Sequence, residues 1–129
     1  MITAVLISIM LLGLSSTSQA AGPSFSKDLM PILRTQCAIC HLTGQEQGNL
    51  ALPPAKAYAS LVNVKSTEAP ALTRVTPGQP DKSYLIAKLE GTQIKAGGKG
   101  ARMPFAGAPL PADKIKLFRD WIAAGAAKN

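Results

Sequence analysis

The chain has 129 residues, with 14 Lys and Arg against 7 Asp and Glu and a formal charge of +7 when its single His is neutral. That length holds one domain with one small core, which Phe25, Tyr58, Tyr84, Phe105, Phe118 and Trp121 must fill almost alone among aromatic residues. The excess of cations comes without a repeated or aromatic-interleaved basic motif, which argues against nucleic acid as a partner and leaves steering toward acidic proteins, or plain solubility, as its meaning.

Residues 1–20 contain no charge, run apolar from Ala4 to Leu14, and end in Ser18-Gln19-Ala20, with small residues at the two positions read by a signal peptidase. The apolar stretch is shorter than the roughly 20 residues a membrane span needs. An export signal over 1–20 is therefore expected, followed by one domain over 21–129 delivered to the periplasm. Because the segment lacks the usual Lys or Arg near its start, an uncleaved membrane anchor is the alternative. No Cys stands at the cleavage site, which argues against a lipoprotein.

Phe25, Leu29, Ile32 and Leu33 recur at helical spacing, with Asp28 as a candidate cap and Pro31 in a tolerated first turn. A short helix is expected to deliver the chain to Cys37. Thr43 to Pro54 reads as a loop, and a second helix is expected from about Ala55 to Val62, with Tyr58, Leu61 and Val62 on one side. Pro70, Pro77, Gly78 and Pro80 then break regular structure. Asp81 can cap a helix running to Glu90, which Gly91 would end. Gly91, Gly97, Gly98, Gly100 and Gly107, with Pro104 and Pro109, make 91–109 an extended loop that contains Met103. Pro111 at a first helical position and Asp113 near the positive end open the last helix, whose rows Ile115, Phe118, Ile122 and Leu117, Trp121 form one apolar face ending before Gly125. No segment alternates with period two and none repeats. The fold class expected is all-α, with about four short helices and long loops.

Both cysteines and the only histidine fall within five positions, Cys37-Ala38-Ile39-Cys40-His41. This is the spacing of c-type haem attachment: two thiols about a helical turn apart each add to one vinyl group, and the neighbouring imidazole reaches the iron. Other chemistries use part of the pattern. A redox dithiol normally opens a helix after a strand, and no strand-like run precedes Cys37. Zinc would need a fourth ligand, which would have to be a carboxylate. A disulfide between residues three apart closes too small a loop to stabilise much and leaves His41 unexplained.

His41 must bind from the face to which the cysteines are tied, so a sixth ligand has to come from elsewhere. Met1 and Met10 lie in the export segment and Met30 on the helix leading into the motif, which leaves Met103, in a loop able to wrap the haem edge with Pro104 to stiffen it. Packing in the core is the alternative use of that side chain. Lys95 and Lys99 are the nearest other donors.

The chain resembles the class I c-type cytochromes, specifically the small exported mono-haem type. The likeness runs through Asp28-Leu29-Met30-Pro31-Ile32-Leu33, the motif Cys37 to His41, Val75-Thr76-Pro77-Gly78-Gln79-Pro80 with Ser83-Tyr84-Leu85, Arg102-Met103-Pro104, Leu110, and Trp121-Ile122-Ala123-Ala124-Gly125-Ala126. It covers nearly all of 21–129. One departure is the first helix, which lacks the glycine that lets many members cross an aromatic of the last helix closely.

The resemblance implies a cytochrome c fold around one covalently bound haem, thioethers at Cys37 and Cys40, and axial ligands His41 and Met103. An iron held on both faces has no position for substrate, so the function implied is one-electron transfer rather than catalysis, by a monomer whose donors and acceptors carry acidic docking surfaces. Lys95, Lys99 and Arg102 would guide such partners, or serve as solvated charges or propionate counterions. Membrane contact would come only through membrane-bound redox partners or an uncleaved signal. The alternatives are a haem peroxidase or gas-binding sensor in which Met103 is labile or absent from the iron, and a dedicated electron-transfer subunit of a periplasmic oxidoreductase. With so few aromatic residues, the haem-free chain is expected to be poorly folded.

Overall fold

A computed structural model describes residues 21–129, and the export segment expected over 1–20 lies outside them. The first helical run starts earlier than Asp28. The Ser24 hydroxyl accepts the Lys27 N–H at 3.3 Å, while the Asp28 carboxylate reaches back to accept the Ser24 N–H at 2.7 Å. Ser24 is thus the cap, and Asp28 supports it from inside the run as the acidic half of a reciprocal capping pair. The run is wide, π-helical, over Phe25–Leu29 and passes into α1, Met30–Gln36, with Pro31 at its start, where the missing N–H costs nothing.

Three further helices follow: α2, Ala57–Leu61; α3, Tyr84–Glu90; and α4, Ala112–Ala123. Two of their starts differ from expectation. Asp81 belongs to a separate 3-10 turn, Pro80–Lys82, because the Ser83 hydroxyl, which donates to the Gln79 carbonyl at 2.9 Å and accepts the Thr76 N–H at 2.9 Å, ties that turn to the preceding loop before α3 begins. Pro111 precedes α4 in an extended conformation and occupies its cap position rather than its first turn. Gly91 ends α3 in the left-handed conformation, φ +78°, as its residue type requires.

Among the described residues three isolated bridges form, Val62 with Val75, Lys65 with Thr73 and Thr73 with Ser83, and no strand. The architecture is all-α with long loops. No described helix is long and apolar enough to cross a membrane.

One apolar cluster joins the elements, with Leu29, Leu33, Leu61, Phe118 and Trp121 all but inaccessible. Phe25 meets Trp121 at 5.2 Å and Tyr58 at 5.3 Å between ring centroids, the second edge to face. Their polar ends are satisfied locally: the Trp121 indole N–H donates to the Ala127 carbonyl and the Tyr58 hydroxyl to that of Ala126, both at 2.8 Å. The first helical run thus meets α4 through Phe25 rather than through a helical glycine. The close approach falls upstream, at Gly22, where any Cβ would collide with that of Ala124.

The guanidinium of Arg74, 9 % exposed, donates to the carbonyls of Ser60, Gly48 and Asn49 at 2.7–2.9 Å. It knits the end of α2 to the Gln47–Asn49 turn, and both elements border the site.

Candidate functional site

Beyond α1 the chain tightens into a turn in which the N–H groups of Cys40 and His41 both donate to the Cys37 carbonyl at 3.1 Å. Leu52 then donates to the His41 carbonyl at 2.8 Å and fixes the far end of the motif. Glu46 closes the next turn, its carboxylate accepting the Thr43 N–H and hydroxyl and the Gly44 N–H at 2.9–3.2 Å. Elsewhere in the chain the Met103 N–H donates to the Lys88 carbonyl of α3 at 2.9 Å. That bond draws the long loop back over the helix.

Between these elements lies a cleft of about 610 Å³, within the size range of small-molecule and cofactor sites. Leu33, Leu52, Leu61, Leu89 and Phe118 supply much of its floor, shared with the core. Cys37, Cys40, His41 and Met103 all line it, so the fold gathers every site residue nominated from the sequence. Met30 is not in its wall. Ile39 and Phe105 also line it and remain 75 % and 71 % exposed, so it is bordered by apolar side chains facing outward.

Both cysteines are free thiols. Burial pushes the Cys37 thiol up to about 11, with the neighbouring Cys40 adding to the shift. A redox dithiol needs the opposite shift, toward the thiolate. Burial also holds the His41 imidazole below its usual value, against the opposing pull of Glu46. Its Nδ1 is buried and has no hydrogen-bond partner among the described residues. A buried ring nitrogen without a partner is costly to leave so; because protein atoms cover Nδ1, it is not the ring atom that faces the open cleft. No three His, Cys, Asp or Glu side chains gather as a metal-binding group among the described residues. The zinc reading therefore finds no donor set here.

Sequence reasoning missed several polar residues of the wall, among them Glu68, Arg74, Tyr84 and Lys88. For Tyr84 and Lys88 a signal existed, since positions 84, 85, 88 and 89 share one face of α3 with Leu85 and Leu89. The lysines nominated instead, Lys95 and Lys99, are exposed on the loop with Arg102, and none of the three lines the cleft. Lys95 borders a separate shallow depression beside Arg119. The sequence matches no protein-family model, and neither curated proteins nor solved structures gave a significant match.

Proposed function

We propose that this chain is a mono-haem c-type cytochrome of class I, exported to the periplasm, which carries single electrons between redox proteins. The observation that carries the reading is the convergence of Cys37, Cys40, His41 and Met103, nominated from sequence alone, on one apolar cleft. The residues fit the group in chemistry as well as in place. Two unpaired thiols precede an imidazole, and all three share the wall of one apolar cleft with a thioether.

Haem would supply one-electron cycling between ferrous and ferric iron. Cys37 and Cys40 would each add an S–H across one vinyl group, forming the thioethers that keep the cofactor on the chain. His41 and Met103 would hold the metal, and a thioether ligand would favour the ferrous state and raise the potential. With both side chains engaged, the site would pass electrons and offer substrate no position. Leu52, Leu61 and Phe118 exclude water from the floor, while Ile39 and Phe105 border the opening. The cationic surface, from a chain with a sequence pI of about 9.7, suits donors and acceptors with acidic docking faces.

The decisive test expresses the full chain in a host competent in cytochrome maturation and compares it with Met103→Ala. The wild type is expected to keep its colour on the polypeptide after acid–acetone extraction. It should also show a ferric methionine-to-iron charge-transfer band and leave carbon monoxide unbound when ferrous. Met103→Ala should lose the band and bind carbon monoxide. Loss of colour on extraction would end the proposal, and a high-spin wild type that binds carbon monoxide rapidly would turn it toward a peroxidase or gas sensor.

A further inference from the structure

We propose that Glu68, Tyr84 and Lys88 form a clamp that positions Met103, tying the 97–103 loop to α3 so that the thioether is kept at the cleft. This inference rests on the haem reading above and adds to it the residues that set the occupancy of the sixth ligand.

The clamp is built at one end of the loop from side chains and at the other from backbone. Lys88 Nζ pairs with Glu68 Oε2 at 2.8 Å, the two side chains only 11 % and 12 % exposed, and also donates to the Lys99 carbonyl at 3.3 Å. The Tyr84 hydroxyl lies 3.0 Å from the same Glu68 oxygen and within 3.3 Å of both the N–H and the carbonyl of Lys99. Gln93, buried, donates to the Gly100 carbonyl at 3.0 Å. Three residues further on, the Met103 N–H meets the Lys88 carbonyl at 2.9 Å. Lys88 therefore grips the loop twice, by its ammonium at Lys99 and by its backbone at Met103.

The loop residues suit this seat. At Gly98 a Cβ would run into the Tyr84 ring, and at Gly100, φ +75°, it would stand 3.3 Å from Lys88 Nζ. Only bare backbone can lie this close to the clamp.

A buried ion pair does little for net stability, because desolvation offsets most of its attraction. What it does well is fix geometry, since breaking one partner leaves the other charge buried and alone. Glu68 and Tyr84 hydrogen-bond to neither the motif nor Met103, although both line the cleft and the Glu68 charge is felt at His41. Tyr84→Phe removes no charge, so an effect that it shares with Glu68→Gln passes through the loop, and in that sense the two are positioning residues.

The test uses the haem-loaded full chain and the variants Glu68→Gln and Tyr84→Phe, which keep side-chain shape. Lys116→Ala, which removes an exposed ion pair confined to α4 and does not line the cleft, serves as a control for loss of surface ion pairs. Carbon monoxide reaches ferrous iron only from the population in which Met103 is off. Its binding rate is therefore expected to rise about tenfold in both clamp variants, with a weakened charge-transfer band, while the Lys116 variant keeps both at wild-type values. Amide exchange of the 97–103 segment, a readout independent of iron, should quicken in the clamp variants only. Haem-loaded variants with wild-type band, carbon monoxide kinetics and exchange would overturn the clamp and leave the cytochrome reading intact. A wild type that never acquires covalent haem would overturn the cytochrome reading and the clamp's purpose together.

Discussion

The Glu46 carboxylate folds back over the turn that follows His41, and its titration is a local reporter of that turn. Its own backbone N–H, then that of Thr43, with further help from the Thr43 hydroxyl and the Gly44 N–H, lower it from 4.5 to about 2. A carboxylate depressed on folding contributes stability above its unfolded value and loses it as pH falls through its folded value. The contribution of Glu46 should therefore be complete above about 4.5 and fade toward about 2. Titration of its carboxyl carbon by NMR should show the low value, and Glu46→Gln should flatten the stability profile across that window. A midpoint near 4.5 would mean that the carboxylate does not hold the turn in solution.

At the scale of elements, α3 carries the most demands, because it ends at a left-handed glycine, meets α4, and holds the Met103 loop. Arg119 of α4 donates to Glu90 and to Asp81 at 2.8 Å, joining α4 to both ends of that region. Arg119 is 33 % exposed and Asp81 83 %, so solvent screening leaves the pairing worth about 1 kcal/mol or less. Gly91 matters more. An alanine there would have to adopt φ +78° and bring its Cβ to 3.2 Å from the Arg102 side chain, at the root of the loop. Gly91→Ala should cost about 1–2 kcal/mol, chiefly from the left-handed backbone, read as a lower midpoint in denaturant with an unchanged slope. A neutral result would show that α3 ends differently in solution.

Across the whole molecule, the core and the cleft share walls: Leu33, Leu61, Leu89 and Phe118 belong to both. Apolar side chains lining a space of about 610 Å³ lack packing partners on that side unless something apolar enters it. The haem-free chain should accordingly melt lower and show weaker far-ultraviolet circular dichroism than the loaded one. The Phe25–Tyr58–Trp121 cluster, none of which lines the cleft, should be the last part to loosen. Equal spectra and equal melting would refute the idea that the cofactor completes the core.

The residue chemistry of the site was legible in the sequence, because two thiols and an imidazole within five positions are marked by type and spacing, both local properties. So were the four helices and the Gly-rich loop, since periodicity and breakers act over one or two turns. Helix starts were less so: Ser24 displaced Asp28 as cap because the competition between them is settled by hydrogen-bond geometry rather than residue preference. Helical spacing could place Tyr84 and Lys88 on one face of α3, but not the pairing that makes the clamp. Glu68 and Lys88 stand twenty positions apart and Arg74 spans some twenty-five to reach Asn49, so only the tertiary fold decides which buried charge meets which partner. Local chemistry announces a donor, whereas its setting depends on contacts between segments that the chain brings together only when it folds.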